Sequence, residues 1–196
     1  MLSIRSIPAA SHRLDLRASG LVAIAKHGSA LRKLNDAFRH RHVSRGYLAL
    51  VRTWRAVSAQ TIEEPLATSR GHVQVDPAGA PAVTIVKPLG FDPDNGVALV
   101  ALRLQSGRQH QARVHLASAI GAIVGDRRYG DLLNDASRIA LHAGWISWDA
   151  SIGLSAVTFQ SEPAADFWSL CPRTLAIPAN WSSEIGLQDD AKTLES

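Results

Sequence analysis

The stretch that most constrains the fold is Asp92-Pro-Asp-Asn-Gly96 running into Val97-Ala-Leu-Val-Ala-Leu-Arg-Leu104. Pro, Asn, Asp and Gly together specify a turn, and the nearly unbroken apolar run behind it reads as a central strand. The same grammar recurs along the chain. Leu21 to Ala25 reads as a short buried strand, Tyr47 to Trp54 as a second, and His72 to Val75 and Ala82 to Val86 as strands parted by an Asp76-to-Gly79 turn. Ile139 to His142, Trp145 to Trp148 and Ala156 to Phe159 complete the set. Two stretches have helical spacing. Ser29 to His40, with Ser29 as its N-cap, carries Leu31, Leu34 and Phe38 on one stripe, and Arg108 to Ile120 is ended by Gly121 in a left-handed cap. A short helix is expected over Asp166 to Leu170. Many short strands mixed with few helices predict an α+β fold: a mixed, largely antiparallel sheet flanked by helices.

The length, 196 residues, suits one domain with a substantial core. We expect that domain over 1–181 and a frayed polar tail over 182–196. A single cysteine, Cys171, excludes an internal disulfide and suits a reducing compartment, so a cytoplasmic protein is expected. No apolar run reaches the roughly 18 residues of a membrane span. Charge is sorted by region. Residues 1–55 hold eleven Lys and Arg against Asp15 and Asp36, and Arg103 to Arg128 holds five Arg against Asp126. Glu162 to the C-terminus instead carries six acids against Arg173 and Lys192. Such sorting fits either a polyanion partner or merely solvated basic faces.

Within the first basic region lies Ser11-His-Arg-Leu-Asp-Leu-Arg-Ala-Ser-Gly20, in which Asp15 stands two residues from Arg13 and two from Arg17. A carboxylate among cations stays ionised at neutral pH, which suits a nucleophile or a charged anchor better than a proton donor. Several chemistries lack their residues. His110 and His115 are five apart, about 140 degrees around a helix, so they do not converge on one ion, and no HExxH or Cys pair accompanies them. Ser106-Gly107-Arg108 is not a phosphate-cradling loop, and Cys171 beside Pro172 has no acyl-transfer context.

The ordered segments His12-Arg-Leu-Asp15 with Ser19-Gly20, the basic turn into Tyr47, Gly107-Arg-Gln-His-Gln-Ala-Arg-Val-His115 and Gly125-Asp-Arg-Arg-Tyr-Gly130 resemble the RluA-type RNA pseudouridine synthases. Leu141-His-Ala143 and Ala164-Ala-Asp-Phe167 are similar to that family's closing segments. The resemblance covers most of residues 11–170. It implies a pseudouridine synthase-like catalytic domain that isomerises uridine to pseudouridine in structured ribosomal or transfer RNA as a monomer, with no metal and no organic cofactor. By motif position Asp15 is the catalytic nucleophile, Tyr47 lies against the target base, and Arg113 pairs with Asp15 and helps hold the flipped nucleotide. His12, Arg13, Arg17, Arg108, His110 and Gln111 are the expected RNA-binding and cleft-supporting residues.

Two departures accompany the match. Ala18 stands where the family usually has Thr. Only eleven residues precede His12, where family members carry a longer segment with a Lys-Pro-Gly-type motif, so the N-terminal part of the family domain is expected to be missing. A catalytically silent RNA-binding remnant of the same fold is therefore the alternative expectation.

Overall fold

A computed structural model describes residues 7–132 and 136–178. Strands β1 (Ala9–Ala10), β2 (Ser19–Gly20) and β3 (Ile24–Ala25) precede helix α1 (Gly28–Arg39). Six strands follow: β4 (Ser44–Arg52), β5 (Gln60–Ile62), β6 (Leu66–Ser69), β7 (His72–Val75), β8 (Thr84–Asp92) and β9 (Val97–Leu104). Helix α2 (Gln111–Ala119), β10 (Leu141–Trp148), β11 (Val157–Gln160) and the single turn α3 (Ala165–Trp168) close the chain.

One sheet carries the core, with strand order β11-β10-β4-β9-β8-β5 and β2 added to β10. Every neighbour pair along that order is antiparallel, and only β2 runs parallel to its partner. The sheet is therefore mixed and largely antiparallel, as the pattern of the sequence implies. Central β4 and β9 are buried almost throughout, which is why their side chains are apolar at successive rather than alternate positions. Smaller pairings, β1 with β3 and β6 with β7, sit apart from this sheet.

The free edge of β10 is divided between two strands. Trp145 to Trp148 pair with β11, whereas His142 and Ala143 pair with β2, and an irregularity in the β4 register falls between the two halves. Gly20 lets β2 come this close. Its φ is +121°, and a Cβ there would lie 2.2 Å from the Ala143 carbonyl oxygen. The next residue, Leu21, donates its backbone N–H to that same oxygen at 2.9 Å.

Several local expectations shift. The apolar run Leu21 to Ala25 does not form one buried strand: only Ile24 and Ala25 are extended into β3, and Ile24 is 61% exposed. Helix α1 is capped by His27 rather than Ser29, through Nδ1 accepting from the Ala30 N–H, because a ring nitrogen can reach the first turn as a hydroxyl does. Helix α2 starts at Gln111, since His110 adopts a left-handed backbone (φ 54°) that ends helical geometry on its N-terminal side. Gln109 thus precedes the helix. Gly121 ends α2 for another reason than a left-handed cap: its φ is +158°, and a Cβ would meet the Arg52 carbonyl at 1.9 Å. The runs at Ile139 and Trp145 merge into the single strand β10. The tail expected over 182–196 lies outside the described residues.

Replacing Gly20 with alanine is expected to destabilise the fold by about 2–4 kcal/mol, because backbone rather than a flexible side chain blocks the new methyl. Urea unfolding of Gly20→Ala against wild type measures this as a lowered midpoint at unchanged slope.

Candidate active site

The segment carrying Asp15 is a turn held at several points to the region around β10. The Ala18 N–H returns to the Asp15 carbonyl at 3.0 Å, and Arg17 at the turn has φ 71°. The Arg17 carbonyl accepts from the Ile139 N–H at 3.2 Å. Its guanidinium donates to the carbonyl of Ser137 at 2.8 Å and to that of Ala136. Arg17 thus secures the turn with the side chain that sequence alone offered as a ligand for RNA.

Behind the turn runs a hydrogen-bond chain with one possible direction. Arg138 bridges Asp166 at 2.7 Å and Ser19 Oγ at 2.5 Å. His142 Nε2 lies 2.9 Å from the Ser161 carbonyl, which only accepts, so Nε2 carries the proton and Nδ1 is the acceptor. The Ser19 hydroxyl therefore donates to Nδ1 at 2.8 Å while accepting from Arg138. Burial, the largest influence, lowers the His142 pKa below its ordinary value and keeps this neutral arrangement.

Asp15 faces the first turn of α2. Its Oδ2 lies 3.6 Å from Nη1 of Arg113, and the two side chains are 20% and 7% exposed. Arg113 is fixed from its other side by Asp126, which accepts from Nε at 2.7 Å and from Nη2 at 2.8 Å. Tyr129 places its ring 4.9 Å from the guanidinium carbon. Burial alone would lower the Arg113 pKa, but the Asp126 bonds and charge, with Asp15 behind them, raise it above its ordinary value. The result is a permanent cation with two of its three nitrogens bonded to Asp126 and the third facing Asp15.

Asp15 and Tyr47 line one cavity of about 300 Å³, together with Arg13, Arg45, Arg108 and His110 among others. Tyr47 comes from β4, where it pairs in register with Leu102. Burial raises its pKa, Arg45 opposes that and Asp15 reinforces it, so the phenol keeps its proton at neutral pH. Leu14, Ala18, Leu104 and Leu141 supply the apolar lining. Gln111 builds the loop in front of α2 and is fully bonded. Its Oε1 accepts from Ser106 Oγ at 2.8 Å and from the Arg108 N–H at 3.1 Å, while Nε2 donates to the Val83 carbonyl at 2.9 Å and to Thr84 Oγ1 at 3.0 Å. Arg108 also donates from Nε to the Pro81 carbonyl at 3.1 Å. His110 Nδ1 lies 2.7 Å from the Tyr129 hydroxyl. Its pKa is lowered chiefly by burial, against the pull of Asp15.

The sequence-derived residues therefore fall into two groups. Asp15, Tyr47, Arg13, Arg108, His110 and Gln111 share the cavity wall, with Arg113 directly behind Asp15. His12 lines the neighbouring cavity instead, its ring 4.6 Å from Phe38 and its Nε2 accepting from the Ala23 N–H at 3.0 Å. Burial first, then Arg45, lowers its pKa to about 4. Sequence reasoning missed Asp126, Arg45, Arg138 and His142. Asp126 was open to discovery, being the lone carboxylate in a stretch of five arginines. Arg138 gave no local signal, and His142 stood in a motif segment without a role, because their shared partner, Ser19, lies more than a hundred residues away.

A sequence profile described as RNA pseudouridylate synthase matches residues 5–118. The chain is 32% identical over 155 residues to tRNA pseudouridine synthase C of Salmonella typhi, covering 68% of this chain and 59% of that protein. It is 36% identical over 132 residues to ribosomal large subunit pseudouridine synthase D of Escherichia coli strain K12, covering 65% of this chain and 40% of that protein. Among solved structures, human RNA pseudouridylate synthase domain containing 1 superposes with a TM-score of 0.74 at 25% identity, over 90% of this chain and 79% of that one. With a profile spanning more than half of its length, the chain belongs to the RNA pseudouridylate synthase family. It spans about half the length of the curated relatives it matches. Among the described residues, no helix is long and apolar enough to cross a membrane.

Removing the carboxylate that neutralises Arg113 leaves a buried charge with one distant partner. Asp126→Ala is expected to lower stability by about 3–5 kcal/mol in urea unfolding, with Asp126→Asn intermediate. A second expectation concerns acid. The unfolded chain protonates His12 near its ordinary 6.5, whereas the folded chain resists until about 4, so the unfolded state binds more protons across that window. Stability falls as pH drops from about 6.5 to about 4, and the decline should be shallower in His12→Gln when midpoints are measured at stepped pH.

Proposed function

We propose that this chain is an RNA pseudouridine synthase that isomerises uridine in structured transfer or ribosomal RNA, acting in the cytoplasm as a monomer without metal or organic cofactor. One observation carries the reading: Asp15, 3.6 Å from a buried and doubly anchored Arg113, shares a small cavity with a protonated Tyr47. Relatives named as transfer-RNA and ribosomal-RNA pseudouridine synthases support it.

The reaction breaks the bond between uracil N1 and the ribose, turns the base, joins C5 to the ribose and releases the C5 hydrogen. It needs a fixed negative charge beside the nucleoside and a closed pocket that keeps the detached base in place. Asp15 supplies the charge as the catalytic carboxylate. Arg113 orients it without neutralising it fully, since Asp126 takes the two closer hydrogen bonds. Tyr47 offers an aromatic face to a uridine swung out of its stack and a hydroxyl for proton movement. A cavity of about 300 Å³ lies at the lower end of the range for small-ligand pockets, suiting one nucleoside. Arg13 and Arg108, which line the cavity, are the residues we assign to the backbone phosphates.

RNA carrying tritium at uracil C5 tests the proposal. Wild type should release the label into water, and Asp15→Ala should lower that rate on the order of 1,000-fold or more while still binding RNA. Equal release from both proteins overturns it. RNA binding by wild type with no release from unmodified transfer or ribosomal transcripts assigns the chain to the silent RNA-binding alternative.

A further inference from the structure

A second cavity of about 440 Å³ adjoins the first, sharing Arg13, Arg45, Leu104, Gly107 and Arg108 as a common wall. Its far side is the end of α1, from which Arg39 and Arg41 contribute. Five arginines thus surround one space, and none of its lining residues is acidic. Asp36 pairs with Arg39 at 2.8 Å on the open side of the helix, where both side chains are more than half exposed and the pairing is weak. Rings line the same space: His12 against Phe38, with the Arg45 guanidinium carbon 5.4 Å from the Phe38 centroid.

The backbone at Arg41 is the telling feature. Helix α1 ends with the Arg41 N–H on the Phe38 carbonyl at 3.3 Å and the His42 N–H on the Ala37 carbonyl at 2.8 Å. That pattern is a Schellman closure, and its left-handed residue is Arg41, at φ 63°. Glycine is favoured there because a Cβ is strained in this region. An arginine stands in its place, exposed, with its side chain on the wall of the basic cavity. Arg45, on the shared wall, has a buried Nε with no hydrogen-bond partner among the described residues, while its Nη2 reaches the Ser106 carbonyl at 3.3 Å. An unsatisfied buried donor and a strained cation, collected beside the Asp15 cavity, fit an anionic occupant continuous with whatever fills that cavity.

We infer that the second cavity binds the nucleotide adjacent to the target uridine on the same RNA strand, with its phosphate held by Arg41, Arg39 and Arg108. The inference rests on the synthase reading above and adds a subsite to it. Arg41 is then a specificity and positioning residue that touches RNA but not the reacting atoms.

The substitution Arg41→Gly separates this role from folding, because it removes the guanidinium while giving the closure the residue its backbone favours. Thermal stability should hold or rise. In the tritium-release assay KM for RNA should rise about tenfold with kcat unchanged, and the salt dependence of binding should flatten by about 0.7 to 1 in log–log slope. Arg39→Gln should act in the same direction. Substrates with an uncharged methylphosphonate at one of the two linkages flanking the target locate the contact: one of them should raise KM for wild type and add nothing in Arg41→Gly. Unchanged KM and slope in both variants, or effects that simply add at both linkages, overturn the inference while wild-type turnover leaves the synthase reading standing. If no RNA is turned over, the synthase reading fails and the inference falls with it, so the two failures are told apart by wild-type turnover.

Discussion

Arg113 is a guanidinium taken out of water, and the architecture around it follows from keeping that charge satisfied. Withdrawing such an ion costs several kcal/mol unless close partners replace its hydration. Asp126 does so in bidentate geometry with both atoms under 3 Å, while Asp15 stands off at 3.6 Å. The division of labour between two carboxylates matters more than their number. The inner one stabilises the cation, and the outer one, still partly exposed, keeps an accessible oxygen facing the cavity.

A similar logic governs the buried histidines. His115 mirrors His142: Nε2 donates to the Glu64 carbonyl at 2.9 Å, and Nδ1 accepts from Thr84 Oγ1 at 2.9 Å, which itself accepts from Gln111. Each imidazole is neutral, each tautomer is dictated by a carbonyl, and burial lowers the pKa of both. One chain supports the Asp15 turn and the other the start of α2, so the two halves of the site are braced by the same device on different elements.

The fold was legible where one residue class dominated a stretch. Val97–Leu104 and His72–Val75 are strands with the bounds the sequence implies, since turn residues delimit them on both sides. Helix α2 was harder. Six consecutive residues, Gln111 to Leu116, are buried, so no apolar stripe marks its face, and the polar members among them are satisfied by partners outside the helix, among them Thr84, Glu64 and Asp126. At the site, Asp15 and Tyr47 could be named from ordered motifs, and the fold sets both in one cavity. Arg17 shows the limit of local reading. Proximity in sequence suggested a cation for Asp15 or for RNA, whereas its backbone geometry directs the guanidinium to the Ala136 and Ser137 carbonyls.

The divided edge of β10 also sets an order of assembly. Among the described residues, β2 has β10 as its sheet partner, and that partner is synthesised more than a hundred residues later. Until then the turn before β2 lacks the backbone it is hydrogen-bonded to, although Arg113, across from its carboxylate, is already in the chain. The carboxylate-bearing turn is thus fully seated only when β10 lies beside β4, so a polypeptide still emerging from the ribosome holds the residues of this cavity without the backbone that secures them.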